Sequence, residues 1–459
     1  MTEPIRQMCA TTVDTVPDER QEATSLPHRE LRGGEWWREL PGFADVDEST
    51  FIDARWQTRN SVKNVDQLVE VVRDLADESF FEDVERGLRA APMNLRVTPY
   101  LLSLIDWERP FDDPIRRQFI PAGSRLEPDH PRLTLDSLDE QGDAVADGLT
   151  HRYPNKALLL ALDSCPVYCR FCTRSYAVGT DTDHVEKLAL RPNPKRWEDS
   201  LAYLAEHPEV EDVVISGGDV YNLGAKQIRE LGHRLLDIPH IRRFRYATKG
   251  IAIMPQKILS DHDWLDALTD VVERGRTIGK HVAVHTHVNT AREVTDHTRR
   301  AMDRLTSRGI TVRNQAVLQR GVNDTEDAMI GLTTRLSWLN IEPYYVYMHD
   351  LVHGVENLRT SLATGIRLEK AVRGVTAGFH TPTFVVDAPG GGGKRDIHSF
   401  EAYDRTTGVS VYTAPSVKPG ESFVYVDPLT TLPEEGRARW QDPGQHESIV
   451  EEALERAAA

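Results

Sequence analysis

A chain of 459 residues, 39% hydrophobic and 28% charged, has material for more than one folding unit and for a large core. Its 72 acidic and 55 basic residues leave a formal charge of −17, which disfavours non-specific binding to nucleic acid or acidic membranes. No apolar run approaches the ~18 residues that span a bilayer, and the N-terminal stretch has no signal-type apolar core, so a cytoplasmic protein is expected.

Residues 1–33 are polar and aperiodic and read as a disordered tail. Residues 34–130 read as a helical N-terminal domain. From Asn64 through Arg89 the apolar residues Leu68, Val71, Val72, Leu75 and Phe80 recur at helical spacing, and a further helix is expected from Pro99 to Asp106. Dense prolines between Pro110 and Pro131 mark its end. The next unit, 140–380, alternates strand and helix beyond Thr150. Its expected strands are Lys156–Leu162, Asp212–Ser216, Arg243–Ala247, His281–His287, Thr311–Leu318 and Pro343–Tyr347. Helical stretches Ala225–Leu236, Trp264–Arg274, Thr295–Arg308 and Thr325–Leu339 separate them. Six such units predict an α/β fold with a parallel sheet. Polar signatures gather at the strands' C-terminal ends, where barrels keep their chemistry, which favours a partial (βα)6 barrel. Residues 381–459 read as a C-terminal segment, acidic towards its end and closing in a helix Ser448–Ala459 that could serve oligomer contacts.

The chain has four cysteines, and three of them, Cys165, Cys169 and Cys172, fall within eight residues as C-x3-C-x2-C, directly after the first barrel strand. Cys9 lies in the tail and reads as a spare thiol. An odd, crowded trio without a secretory signal suits no disulfide framework, and no fourth ligand follows at zinc spacing. Thiolates are the usual ligands of iron–sulfur clusters, and a cubane normally takes four. Three leave one iron open to a non-protein ligand.

This spacing resembles that of the radical S-adenosylmethionine (SAM) enzymes, in which SAM chelates the open iron of a [4Fe-4S] cluster and is cleaved to a 5′-deoxyadenosyl radical. The resemblance narrows with Thr150-His-Arg-Tyr-Pro154, Cys165-Pro-Val-Tyr-Cys-Arg-Phe-Cys-Thr-Arg174, Ser216-Gly217-Gly218-Asp219, Asn314-Gln315, Arg320-Gly-Val-Asn-Asp324, Pro343-Tyr-Tyr-Val-Tyr347 and Thr383-Phe-Val-Val-Asp-Ala-Pro-Gly-Gly-Gly-Gly-Lys394. In order and spacing these resemble the lysine 2,3-aminomutase family over roughly residues 50 to 400. The resemblance implies pyridoxal 5′-phosphate (PLP) as a further cofactor, with Lys394 as its Schiff-base residue and catalytic lysine. Moving an amino group from Cα to Cβ breaks an unactivated C–H bond; the radical abstracts that hydrogen while PLP carries the migrating nitrogen.

Further roles follow from the same resemblance. Ser216-Gly217-Gly218-Asp219 looks like the segment that binds the SAM amino group, its glycines letting backbone approach a ligand. His287 and Gln315 end strands within reach of SAM, although lone polar residues are more often satisfied structural groups. Arg174 matches the arginine that takes the substrate carboxylate. Asp350 and Asp387 match the carboxylates that hold the distal ammonium of lysine; together they would reject glutamate but accept arginine as readily.

The chain also departs from the family. It has Lys156 and Thr248-Lys249-Gly250 where arginines are frequent, and Thr290-Ala-Arg after Asn289. Arg152 and Lys156 could still hold the PLP phosphate. No cysteine follows Cys172, so the structural zinc of some members is not expected. The resulting expectation is a 2,3-aminomutase acting on a free cationic amino acid, most simply L-lysine, in a homo-oligomer reduced by a flavodoxin- or ferredoxin-type partner. The alternatives are an arginine 2,3-aminomutase, an enzyme supplying β-lysine for translation-factor modification, and a non-catalytic iron–sulfur protein.

Overall fold

The computed structural model describes residues 26–459. Ten strands form one sheet in strict chain order: β1 (Ala144–Ala146), β2 (Leu149–Tyr153), β3 (Lys156–Leu162), β4 (Asp212–Gly217), β5 (Arg243–Ala247), β6 (His281–Thr286), β7 (Thr311–Val317), β8 (Ile341–Tyr347), β9 (Thr383–Ala388) and β10 (Gly393–Asp396). The pairings from β3 to β9 are all parallel, whereas β1–β2, β2–β3 and β9–β10 are antiparallel. The near-continuous apolar run of β3, Lys-Ala-Leu-Leu-Leu-Ala-Leu, is what a parallel strand covered on both faces requires. Helices Pro194–Glu206, Ala225–Asp237, His262–Thr277, Asp296–Ser307, Glu326–Trp338 and Leu362–Val372 cross over between strands. Several start on a side-chain cap: Asn193, Asp261, Thr295, Thr325 and Ser361 each accept a first-turn N–H.

The barrel thus has seven parallel strands, one more than the sequence reading gave it. Thr383–Ala388, assigned there to the C-terminal segment, is the seventh, and pairs with β8. The two edges of the curled sheet also meet. Lys394 N on β10 donates to the Tyr153 hydroxyl at the end of β2, at 3.1 Å, so the interior closes on that side through one tyrosine.

The N-terminal helices, Glu48–Ile52, Ala54–Arg59, Val65–Val72, Glu78–Ala90, Pro99–Leu102 and Pro114–Phe119, share one hydrophobic core with the barrel, in which Trp37, Phe51 and Tyr100 join Ile253 and Val294. The periodic run from Asn64 to Arg89 is two helices, broken where Arg73 takes φ = 50°. The expected tail, 1–33, ends earlier than its composition suggests. Residues 26–33 dock on the barrel, with the Arg335 guanidinium donating to the carbonyls of Pro27, His28 and Glu30, and Asp296 N donating to Arg32 O. Residues 1–25, Cys9 among them, lie outside the described residues.

The C-terminal segment forms a second, antiparallel sheet, β11 (Ala402–Asp404), β12 (Val409–Ala414) and β13 (Lys418–Val426), followed by helices Glu434–Gln441 and His446–Ala458. It braces the barrel mouth. Tyr425 OH donates to His349 O at 3.0 Å, beside Asp350, and Leu362 N donates to Asp427 Oδ1 at 2.7 Å.

Candidate active site

Every polar signature of the sequence lies at the C-terminal ends of the parallel strands or inside the barrel beneath them. The cysteine loop leaves β3 and is held by backbone and side-chain bonds: Tyr168 N donates to Arg96 O, Arg170 N to Gln118 O, and the Arg170 guanidinium to Arg117 O and Asn357 Oδ1. Cys165, Cys169 and Cys172 are all free thiols. Burial pushes each of them up, so the reactive thiolates need a positive centre to exist there. Among the described residues no three His, Cys, Asp or Glu side chains converge on a single ion. A cubane asks something different, since each thiolate binds its own iron.

The Ser216–Asp219 turn is packed closely against the start of the cysteine loop. Gly217 has φ = 121°, and a Cβ there would lie 2.1 Å from Leu162 O; at Gly218 it would lie 2.3 Å from Ser164 O. The glycines therefore admit the backbone that leads into the cysteine loop. Asp219 is equally committed, its carboxylate accepting the N–H groups of Tyr221 (2.9 Å) and Lys249 (2.8 Å).

Below this rim lies a cavity of about 270 Å³ inside the barrel. Arg152, Lys156, Arg174, Ser216, His287, Gln315, Asp350, Asp387 and Lys394 all line it; Gly217, Gly218, Asp219 and the three cysteines do not. His287 stacks on Phe171 of the cysteine loop, centroids 5.5 Å apart, and its buried Nε2 has no partner.

At one end of the cavity Lys394 stands directly opposite Asp387 in the β9–β10 register. The connecting turn uses left-handed backbone at Gly390, Gly391 and Gly393 (φ 76°, 87° and 71°), and Gly392 packs under the Phe423 ring. The glycine tetrad therefore makes a tight hairpin that returns the lysine to its carboxylate. Lys394 Nζ lies 3.0 Å from Asp387 Oδ2. Burial opposes both charges; Asp387 and the neighbouring tyrosines nevertheless hold Lys394 above its ordinary range, and Lys394 and Arg152 hold Asp387 below its own. Asp387 Oδ1 is buried without a partner. Asp350, which accepts a hydrogen bond from the Thr173 hydroxyl, is pushed up to about 7 by burial and by the charge of Asp387.

The carboxylate-binding candidate, Arg174, is already held. Glu140 accepts from its Nε and Nη2 at 2.8 and 2.7 Å and also takes the Tyr176 hydroxyl at 2.9 Å. Arg152 is similarly occupied by Asp143, at 2.5 Å, and by Leu138 O. The more available cations are Lys156, with Nζ 3.7 Å from the Tyr153 ring centroid, and Arg245, whose buried Nε is unpaired although its Nη1 reaches Asp212. Burial, then the charges of Lys394 and Arg245, bring Lys156 down to about 7.

Sequence reasoning missed Glu140, Thr173, Tyr153 and Arg245 as site residues. Arg245 carried a usable signal, as a charge in a parallel strand between the buried Phe244 and Tyr246. Glu140 carried none, lying in an aperiodic loop.

Comparison with known proteins bears directly on this arrangement. A family model described as Lysine-2,3-aminomutase matches residues 369–400, the stretch containing Asp387 and Lys394. The L-lysine 2,3-aminomutase of Acetoanaerobium sticklandii is 36% identical over 357 residues, covering 77% of this chain and 80% of that one. The chain belongs to the lysine 2,3-aminomutase family. The L-lysine 2,3-aminomutase of Bacillus subtilis is 34% identical, over 78% of this chain and 71% of its own, and the glutamate 2,3-aminomutase of Clostridioides difficile is 30% identical, over 76% and 77%. Among solved structures, Streptococcus suis SuiB aligns over 51% of this chain and 50% of its own, at 17% identity and a TM-score of 0.36.

As a member of this family the chain is an isomerase that works with a [4Fe-4S] cluster, SAM and PLP. Its residues suit those groups. Three half-buried free thiols on one short loop fit iron. An amine lining a cavity together with Lys156 and the Arg245 guanidinium fits an aldehyde cofactor bearing a phosphate. Among the described residues, no helix is long and apolar enough to cross a membrane.

Proposed function

We propose that the chain is a 2,3-aminomutase of a free cationic α-amino acid, L-lysine in the first instance, which moves the α-amino group to Cβ. The observation that carries this reading is the presence of two carboxylates, the buried Asp387 and the half-buried Asp350, in the cavity that Lys394 also lines. A side chain ending in a carboxylate would meet like charge there; one ending in an ammonium would meet two acceptors.

When bound, the cluster and SAM supply a carbon radical that abstracts hydrogen, and PLP carries the nitrogen. The chain's own residues do the rest. Lys394 would hold PLP covalently, and Lys156, Arg245 and Arg152 would hold its phosphate. Arg174, oriented by Glu140, presents its remaining N–H groups to the α-carboxylate. Asp350 and Asp387 take the distal cation. His287, Gln315 and Ser216 would contact SAM, and Cys165, Cys169 and Cys172 would hold the cluster. The barrel walls would limit water access to a reactive radical.

Catalysis also calls for a low-potential electron donor of flavodoxin or ferredoxin type, and we read the protein as a homo-oligomer. Anaerobic turnover with lysine, arginine and glutamate, followed by product analysis, tests the substrate reading. A β-amino acid from lysine is expected, arginine is the natural rival, and preference for glutamate refutes it.

A further inference from the structure

Lys249, at the end of β5, is buried beside the cysteine loop together with Glu293. Its Nζ donates to Glu293 Oε1 at 3.0 Å and to His287 O at 2.7 Å, and the two side chains are 7% and 0% exposed. The other carboxylate oxygen of Glu293 accepts the N–H groups of Asn289 (2.6 Å) and Thr290 (3.2 Å), while Lys249 N donates to Asp219. The pair therefore ties together the ends of β4, β5 and β6.

It also adjoins the cysteine loop. His287, whose carbonyl Lys249 holds, stacks its ring on Phe171, between Cys169 and Cys172. Phe171 in turn belongs to a small apolar cluster against which Cys169 packs.

We propose that the Lys249–Glu293 pair sets the reduction potential of the [4Fe-4S] cluster, Lys249 being a positioning residue whose buried ammonium stabilises the electron that the cluster accepts. Cluster potentials respond to nearby charge and solvent exposure, and a unit charge in a buried, poorly screened site acts strongly. The partial neutralisation by Glu293 keeps that effect from running to the full value of an isolated ammonium. The proposal rests on the cluster assignment alone. It stands or falls independently of which amino acid is the substrate.

The test is an EPR-monitored redox titration of anaerobically reconstituted holoprotein. K249M should lower the midpoint potential, decreasing the reduced-to-oxidised ratio at fixed potential about tenfold, ~59 mV for a one-electron couple. E293Q, which leaves the ammonium unopposed, should raise the potential, and K249R should hold it. A loop merely loosened by losing the pair would shift K249M and E293Q in the same direction. That result, or a K249M cluster at the parent potential, overturns the proposal. Should K249M assemble no cluster, E293Q alone decides: a potential equal to or below the parent's overturns it.

Discussion

Lys394 Nζ lies 3.0 Å from Asp387 Oδ2, and the two residues face each other directly across the β9–β10 hairpin. The carboxylate that the substrate reading gives to a distal ammonium thus already holds the ammonium of the chain's own lysine.

Lys394 has a rival in the same cavity. Lys156 is brought down to about 7 by burial and neighbouring cations, so much of it is a neutral amine near neutral pH. We expect borohydride reduction of the PLP-loaded protein to label Lys394 and nothing else, and Lys394→Ala to retain no covalent label. Peptide mapping checks this; a label on Lys156 would reverse the two roles.

Asp350 predicts a pH dependence. Its carboxyl sits at about 7 in the ligand-free cavity, and a bound cation favours the ionised form. Below pH 7 a proton must leave before the cation binds, so the apparent Kd for lysine should rise as pH falls, by up to about tenfold per unit. Above pH 7 the affinity should be level. Asp350→Asn should bind more weakly and lose this dependence, read from the cofactor absorbance during titration with lysine. An unchanged slope in the variant would remove Asp350 from the cation site.

The Arg174–Glu140 pair separates stability from function. Arg174→Met leaves Glu140 buried without its cation, which typically costs ~3–5 kcal/mol. Adding Glu140→Gln should recover most of that stability, because no uncompensated charge remains. Substrate affinity should not recover, as the N–H groups that meet the carboxylate stay absent. Denaturant unfolding and a lysine titration on the same three proteins check both halves; recovery of affinity in the double variant would give the carboxylate another partner.

Most of the barrel was legible because its strands and helices are strongly periodic. The first six parallel strands and four of the crossover helices follow from the alternation of apolar runs and amphipathic stretches. The seventh strand was assigned elsewhere because its apolar run leads straight into a glycine turn, which read as the start of a new segment. The second sheet escaped because β12 and β13 lie in a stretch judged by its acidic, proline-rich character, while their alternation registers only when they pair. At the site, chain order brought Cys165, Lys394 and Asp387 to notice, yet nothing in it marks Glu140 as the partner of Arg174, 34 residues away. Lys249 and the Asn289–Arg292 stretch were visible as separate departures from the family pattern. Only the fold brings Lys249 against Glu293, just beyond that stretch.

The cysteine trio should hold about four irons per chain after anaerobic reconstitution. Replacing Cys165, Cys169 or Cys172 by Ala should remove the cluster and reductive SAM cleavage together, as iron analysis and 5′-deoxyadenosine release would record. A full-strength cluster in any one variant would break the assignment.

Selection of a cationic amino acid by Asp350 and Asp387 is tested by kcat/KM for lysine, arginine, norleucine and glutamate, under anaerobic turnover, in the parent enzyme and in Asp350→Asn and Asp387→Asn. Removing one partner of a buried charge pair typically costs ~3–5 kcal/mol, so each variant should lose roughly two to four decades on lysine and on arginine while still loading PLP and binding SAM. Norleucine should remain a poor substrate of the parent. Normal turnover of lysine by both variants, or a parent enzyme that prefers glutamate, would contradict this selection.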